Sequence, residues 1–337
     1  MLPTLLLCTA ALASMQQTGR AVGSRPPGPP ADTILVIPDS SLIAEDVAWD
    51  LRTRTWYVSS VRHRKVIAIG PDGVSRDFIP TGSGGLWSAF AIALDTARDL
   101  LWVTSAATRE GLDTPASDLG RTALFSFQLG SGRMVSRHEL PRDSIPRALA
   151  DLDLLEDGRL VVSDSRGGGV YLLDAAGLRP LVAPRTFRCP QEPAAIPGTP
   201  FVLVPDYSRG LALVNLESGR VTWLLAPADL DLKGIDGMRF RGRTLIAVQN
   251  GLQPNRVVRL DLDDQYRRVT RWEPLVVGVA GLREPTHGVV IADDFVFIAN
   301  SGWDHVGDDG DLLPGDPPAR PMLWRIPAFV TAARSGP

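Results

Sequence analysis

Lysine is almost missing from this sequence: Lys65 and Lys233 are the only two in 337 residues. Nearly all the positive charge is arginine, and 35 basic residues against 38 acidic ones leave a formal net charge of -3. With no basic stripe to neutralise phosphates, nucleic acid is not an expected partner. Cysteine is scarce too, with Cys8 and Cys189 alone. Cys8 falls within an apolar leader whose removal would leave Cys189 by itself, which excludes an intrachain disulfide and a thiolate metal cluster from the expected mature chain. Long stretches of 3.6-residue periodicity are lacking, and with them a helical fold. There is no Gly-x-Ser-x-Gly elbow, no His-Glu-x-x-His pair and no phosphate-cradling loop.

What is present begins with the leader. Residues 1–13 are apolar and end at Ala11-Leu12-Ala13, the pattern of a signal peptide with a small-residue cleavage site. Export, to a periplasm or outside the cell, is the expectation. The run is too short to cross a bilayer, so the mature chain is expected to carry no transmembrane segment. Residues 14–32 hold Arg25-Pro26-Pro27-Gly28-Pro29-Pro30 and suit an extended linker.

From residue 33 to 330 a repeat governs the chain. Each unit has a polar residue, a short apolar run, a turn, a second run rich in β-branched or aromatic residues, and a small polar ending. Examples are Glu45-Asp46-Val47-Ala48-Trp49 leading to Trp56-Tyr57-Val58-Ser59-Ser60, and Asp236-Gly237-Met238-Arg239-Phe240 leading to Leu245-Ile246-Ala247-Val248-Gln249-Asn250. Six such units start at Glu45, Ser88, Asp151, Glu192, Asp236 and His287. A period of about 40 to 50 residues built from short strands is that of propeller blades, so a single all-β, six-bladed β-propeller is expected. The run Ile34-Leu35-Val36-Ile37 has no blade ahead of it. It is expected to join the sixth blade as its outer strand, beside Met322-Leu323-Trp324-Arg325-Ile326, closing the ring and covering a sheet edge.

Such a ring places the start of every first strand and the end of every second strand on one face. That face collects the six unit starts together with Asp164, Asp206, Asn250 and Asn300. Carboxylates converging on a channel mouth repel unless protons or a cation offset them, and hard oxygen donors suit calcium. A divalent metal, calcium by this donor set, is therefore expected. The alternative is that the same residues cap strand ends and tie adjacent blades, as Asp and Asn do in turns.

Two resemblances bear on the choice. Ala44-Glu45-Asp46-Val47-Ala48-Trp49 resembles the Gly-Glu-x-Pro-x-Trp opening of the SMP-30/gluconolactonase propellers, and Ile235-Asp236-Gly237-Met238 is similar to that family's Pro-Asp-Gly-Met blade. This resemblance implies a metal-dependent hydrolase of a lactone or related ester. By it, Glu45 and Asp236 are metal ligands, and Asp236 is also the base that takes a proton from an attacking water. Two positions depart from the family: its fourth-blade ligand asparagine falls at Gln191 or Glu192, and a third-blade asparagine becomes Ala150 before Asp151. Gln191 is carried as the replacement ligand, and Asp151, Glu192, Asn250, His287 and Asn300 as pocket residues.

The segment from Leu124 to Asp174, with Arg137-His138-Glu139-Leu140-Pro141 and Gly167-Gly168-Gly169-Val170-Tyr171, resembles instead the yellow/major royal jelly propellers. That resemblance implies a non-catalytic propeller binding a small molecule or a protein. On either reading a small-molecule ligand or substrate is a partner. Two insertions, 106–120 and 301–320, leave from second-strand ends and should overhang the same face as lids, with Trp87 and Trp303 as further candidates for a pocket wall.

Overall fold

A computed structural model describes residues 31–329. The leader expected over 1–13 and nearly all of the linker over 14–32 lie outside the described residues. Among the described residues no helix is long and apolar enough to cross a membrane.

Six four-stranded antiparallel sheets form a β-propeller. Blade 1 is built from Ala44–Asp50, Thr55–Ser60, Lys65–Ile69 and Ser75–Ile79, running from the channel outward. Blade 2 is Ser88–Asp95, Leu100–Ala106, Thr122–Gln128 and Met134–Glu139, and blade 3 is Leu149–Leu154, Leu160–Asp164, Gly169–Asp174 and Gly177–Val182. Blade 4 has Ala194–Ala195, Phe201–Asp206, Gly210–Asn215 and Val221–Trp223; its inner strand is cut to two residues just after Pro193, which has no N–H to give a ladder. Blade 5 consists of Ile235–Arg241, Thr244–Gln249, Arg256–Leu262 and Val269–Val277. Blade 6 takes Gly288–Ile291, Asp294–Ile298 and Met322–Pro327 from the end of the chain and Asp32–Val36 from its beginning.

The strands follow from the sequence in two ways. Aspartates and asparagines at the hairpins turn the chain by accepting the N–H two residues on: Asp50 takes that of Arg52 at 2.9 Å, Asp157 that of Arg159 at 3.0 Å and Asn215 that of Glu217 at 3.0 Å. Middle strands bury both faces because each blade packs against two neighbours. Val58 and Ile67 of blade 1 therefore share a cluster with Ile298 and Leu323 of blade 6, while Tyr57 and Val66 pack with Leu101, Val103 and Phe125 of blade 2.

Closure rests on the N-terminal strand. Thr33 pairs with Trp324 and Val36 with Met322, and Asp32 forms an ion pair with Arg325 at 2.9 Å. Ile37, fully buried, continues that strand into the cluster between blades 6 and 1. In the full chain Cys189 is buried and is not a free thiol. The lone-cysteine reading depended on removing the segment that carries Cys8.

Deleting residues up to 37 should expose the Met322–Pro327 edge and lower the melting temperature by roughly 10 °C or more, or make the chain insoluble. Circular dichroism melts of the full and shortened chains check this, and curves that superimpose would mean that the strand does not close the ring energetically.

Candidate functional site

The channel end at which the innermost strands begin is shaped by β-bulges. Register shifts between Ala44 and Val47, Leu149 and Asp151, and Ile235 and Met238 interrupt the inner ladders of blades 1, 3 and 5. A bulge leaves residues unpaired and re-aims side chains that strict alternation would send to opposite faces. In blade 1 the consecutive residues Glu45 and Asp46 are accordingly both buried at the site. The bulged backbone also ties blades together: the His287 N–H donates to the Glu45 carbonyl at 3.3 Å, and the Glu192 N–H to that of Asp236 at 3.3 Å. Gly237 lets blade 5 come close enough, since a Cβ there would lie 2.9 Å from the Cα of His287.

His287 stands in the middle of the result, fully buried. Its Nε2 is 3.3 Å from Asp151 Oδ1 and 3.8 Å from Asp236 Oδ1, and its Nδ1 is 3.8 Å from Asp46 Oδ1. Neither ring nitrogen has an aligned hydrogen bond. Asp46, Glu192 and His287 each offer one donor atom, all within 4.8 Å of one another, a buried acidic and histidine group compatible with a metal.

The same carboxylates anchor the ring. Asp46 Oδ2 accepts the Ile92 N–H at 2.8 Å, Glu192 Oε2 that of Met238 at 2.6 Å, and Asp153 Oδ2 that of Ala195 at 2.7 Å. Each of these bonds joins one blade to the next. Arg239 reaches in alongside, donating to Glu192 Oε1 and lying 3.9 Å from Asp46 Oδ1.

Nearer the mouth, Asp236 Oδ2 accepts from Asn250 Nδ2 at 2.7 Å. The same Nδ2 donates to the Pro285 carbonyl at 2.9 Å, and Asn250 Oδ1 accepts from the Tyr207 hydroxyl at 2.9 Å, so the amide is held in one orientation. Glu45 Oε2 accepts from the indole Nε1 of Trp303, which belongs to the insertion 301–320. That insertion packs Trp303, Val306 and Leu312 over Ile43, Val61, Phe90, Ala106 and Ala148. It also meets the insertion 106–120: a Cβ on Gly310 would lie 2.6 Å from the carbonyl carbon of Arg109, and Arg62 binds both, accepting from the Leu112 N–H at 2.8 Å and donating to the Gly310 carbonyl at 3.4 Å.

Five buried carboxylates, those of Glu45, Asp46, Asp151, Glu192 and Asp236, thus face one imidazole and one guanidinium. At an effective dielectric near 20, each pair of like charges 4 Å apart costs about 4 kcal/mol, so they cannot all stay ionised without a compensating cation. The titration behaviour follows. Burial and the neighbouring Asp236 push Glu45 up to about 8, and burial pushes Glu192 up to about 7 although Arg239 and His287 oppose it. Burial also raises Asp151 well above the carboxylate range. For His287 burial acts downward, but the surrounding charges of Glu192, Asp236, Asp151 and Asp46 outweigh it and hold the imidazole well above its ordinary value.

Of the residues picked from sequence, Glu45, Asp151, Glu192, Asp236, Asn250 and His287 come together here. Gln191 does not face the carboxylates through any hydrogen bond: its Nε2 donates to Cys189 Sγ at 2.9 Å. Asn300 is spent on its own loop, donating to the Arg320 carbonyl at 2.9 Å and accepting from the Met322 N–H at 2.9 Å. Asp164 and Asp206 likewise accept backbone N–H groups of the turns that follow them. Trp87 packs against Phe125 and under Arg137, and its indole N–H donates to Asp118 of the insertion 106–120 at 3.1 Å. Asp46, Arg239 and Tyr207 were missed. Two successive acids opening a strand were a signal for the first, and an arginine between Met238 and Phe240 was one for the second.

No family model matches the sequence, and no curated protein matches it. Among solved structures the chain is similar to regucalcin from Agrobacterium tumefaciens, described as a calcium-binding protein, with 14% identity and a TM-score of 0.61 over 89% of this chain and 98% of that one. That likeness is one of fold. A luciferin-regenerating enzyme matches with 14% identity and a TM-score of 0.61, over 90% of this chain and 96% of that one. The PQQ-bound aldose sugar dehydrogenase of Streptomyces coelicolor matches with 12% identity and a TM-score of 0.60, over 88% and 98%.

Because Glu45, Glu192 and Asp151 keep protons in the folded protein at pH values where the unfolded chain has lost them, and His287 does so above its ordinary value, the folded state binds the more protons between roughly pH 4.5 and 8. Stability of the metal-free protein should therefore fall as pH rises through that window, by roughly 5 °C in melting temperature between pH 5 and pH 8. A melting temperature that rises instead would contradict this account of the cluster.

Proposed function

We propose that the chain is a hydrolase of a lactone or related ester, dependent on a divalent metal held at the channel mouth. The reading rests chiefly on one observation: Glu45 of blade 1 and Asp236 of blade 5 both lie against His287, whose N–H reaches the Glu45 carbonyl at 3.3 Å and whose Nε2 is 3.8 Å from Asp236 Oδ1, among the buried carboxylates of Asp46, Asp151 and Glu192. The calcium-binding description of the regucalcin neighbour is consistent with it.

The residues present fit a metal, since buried His287 has no aligned hydrogen bond at either ring nitrogen and the carboxylate oxygens around it are in excess, which a cation would satisfy. Calcium is the ion that the oxygens of Glu45 and Asp236 select; joining His287 to Asp46 and Glu192 shifts the preference toward a first-row ion such as manganese or zinc. Such an ion would polarise the ester carbonyl and lower the pKa of water. The chain's own residues do the rest. Asn250, fixed by Tyr207 and Pro285, holds Asp236 Oδ2 and leaves Oδ1 to take the proton of the attacking water. Trp303 fixes Glu45 and, with the insertion carrying it, keeps bulk water from the mouth. The leader-like residues 1–13 support export as the setting.

Asp236→Asn should keep the fold and lower kcat on a lactone panel by roughly 100-fold to 10,000-fold. Turnover equal to that of the unaltered protein removes the role given to Asp236. Elemental analysis should find a divalent ion, and its chelation at pH 8 should lower the melting temperature. The second reading, a binding propeller, is favoured by Gln191 being turned to Cys189 and by Ala150, which offers no donor. Absence of bound metal together with an unmoved melt would select it.

A further inference from the structure

A cavity of about 340 Å³ lies at the junction of blades 4 and 5, lined by Arg209, Leu211, Trp223, Leu224, Ala226 and Leu232. It is built from the third and outer strands of blade 4 and from the segment leading to blade 5, whereas the carboxylate cluster sits on the innermost strands. The local sequence shapes it. Asp206 closes the turn between Phe201–Asp206 and Gly210–Asn215: its side chain accepts the Ser208 N–H at 3.0 Å and its carbonyl the Arg209 N–H at 3.0 Å, which sets Arg209 at the rim. Gly210 follows with a φ of 110°, and a Cβ there would lie 3.3 Å from the Cβ of Leu232, so a glycine lets that wall close in. The Trp223 indole meets Phe187 edge-on, with ring centroids 5.6 Å apart, and the Arg209 guanidinium lies over the indole at 4.5 Å.

Arg209 is exposed, and among the described residues it forms no ion pair within 4 Å. Its Nη1 donates to the Thr186 carbonyl at 3.2 Å, which leaves Nε and Nη2 as donors. A guanidinium stacked on an indole is held in one plane, with its remaining N–H groups directed along that plane, and this is the geometry that takes a carboxylate. Beside it, buried Leu211, Leu224 and Leu232 offer an aliphatic wall with no charge of its own. The volume falls at the small end of the range for ligand sites, roughly 300 to 1,000 Å³, so the occupant is compact.

We infer that this cavity is a binding site for a small carboxylate with an apolar body, the carboxylate on Arg209 and the body against Leu211, Leu224, Ala226 and Leu232. Neither a metal nor turnover enters it, so the site stands or falls apart from the hydrolase reading.

Calorimetric titration of the intact protein tests it, in the presence of a chelator so that no cation at the channel mouth can hold the anion. Phenylacetate should bind more tightly than phenylacetamide, which has the same shape without the charge. Arg209→Gln should weaken phenylacetate binding roughly tenfold to hundredfold and leave that of the amide unchanged, whereas Arg209→Lys should recover part of the loss. Ala226→Trp, which fills the cavity and keeps Arg209, should remove binding of both. Hexanoate distinguishes a linear body from a ring, and either acid bound through Arg209 supports the site. Two outcomes overturn it: neither acid binding more tightly than its amide, or an Arg209→Gln variant that melts normally and binds both acids as before.

Discussion

The crowding of carboxylates around His287 is the constraint on which the rest of this molecule turns. Acids from blades 1, 3, 4 and 5 converge on one buried imidazole from blade 6, and no arrangement of that kind is stable without protons, a guanidinium or a metal to balance it. Arg239 supplies part of the balance from blade 5. The remainder falls to protons on Glu45, Glu192 and Asp151, whose affinity for protons is raised first by burial and then by the neighbouring carboxylates. A cluster that must be offset is also one that can capture a cation, so the electrostatic cost and the proposed function have a single origin.

Blade geometry is bound up with this chemistry. Asp46 and Glu192 reach the centre and at the same time accept N–H groups from the next blade. The aim of Asp46 depends on the bulge at the start of its inner strand, and the approach of blade 5 to blade 6 depends on Gly237 having no side chain. Residues that would be read as structural ties and residues that would be read as site ligands are, in this ring, partly the same side chains. The two possibilities left open by sequence, ligand or strand cap, divide by position: the strand starts converge, whereas Asp164, Asp206 and Asn300 at the strand ends satisfy their own turns. Asn250 is the exception, a strand-end residue that turns to Asp236.

Over the mouth, the two insertions add a second layer. Trp303 is hydrogen-bonded to Glu45, so the conformation of the insertion 301–320 and the state of that carboxylate are linked. Contact between Gly310 and Arg109, with Arg62 holding both loops, makes the cover continuous across blades 1, 2 and 6. The acidic run of that insertion is partly committed to the cover as well: Asp304 pairs with Arg283 at 2.6 Å, and Asp309 accepts the Asp311 N–H at 3.0 Å.

By itself the sequence determined the six-bladed ring, the closing strand and most of the acids at the channel mouth, because blade repetition, strand alternation and turn chemistry are local and recur often enough to be read in one dimension. Even the weakness of blade 4 was visible in Glu192-Pro193-Ala194-Ala195. Tertiary structure alone decided which acids meet. Asp46 lies one residue from Glu45 and alternation would point it elsewhere; the bulge that brings both inward depends on contacts with blades 2 and 6, far along the chain. Whether Gln191 turns to a metal or to Cys189 is likewise a matter of distance in the folded ring, and spacing along a chain does not encode such distances.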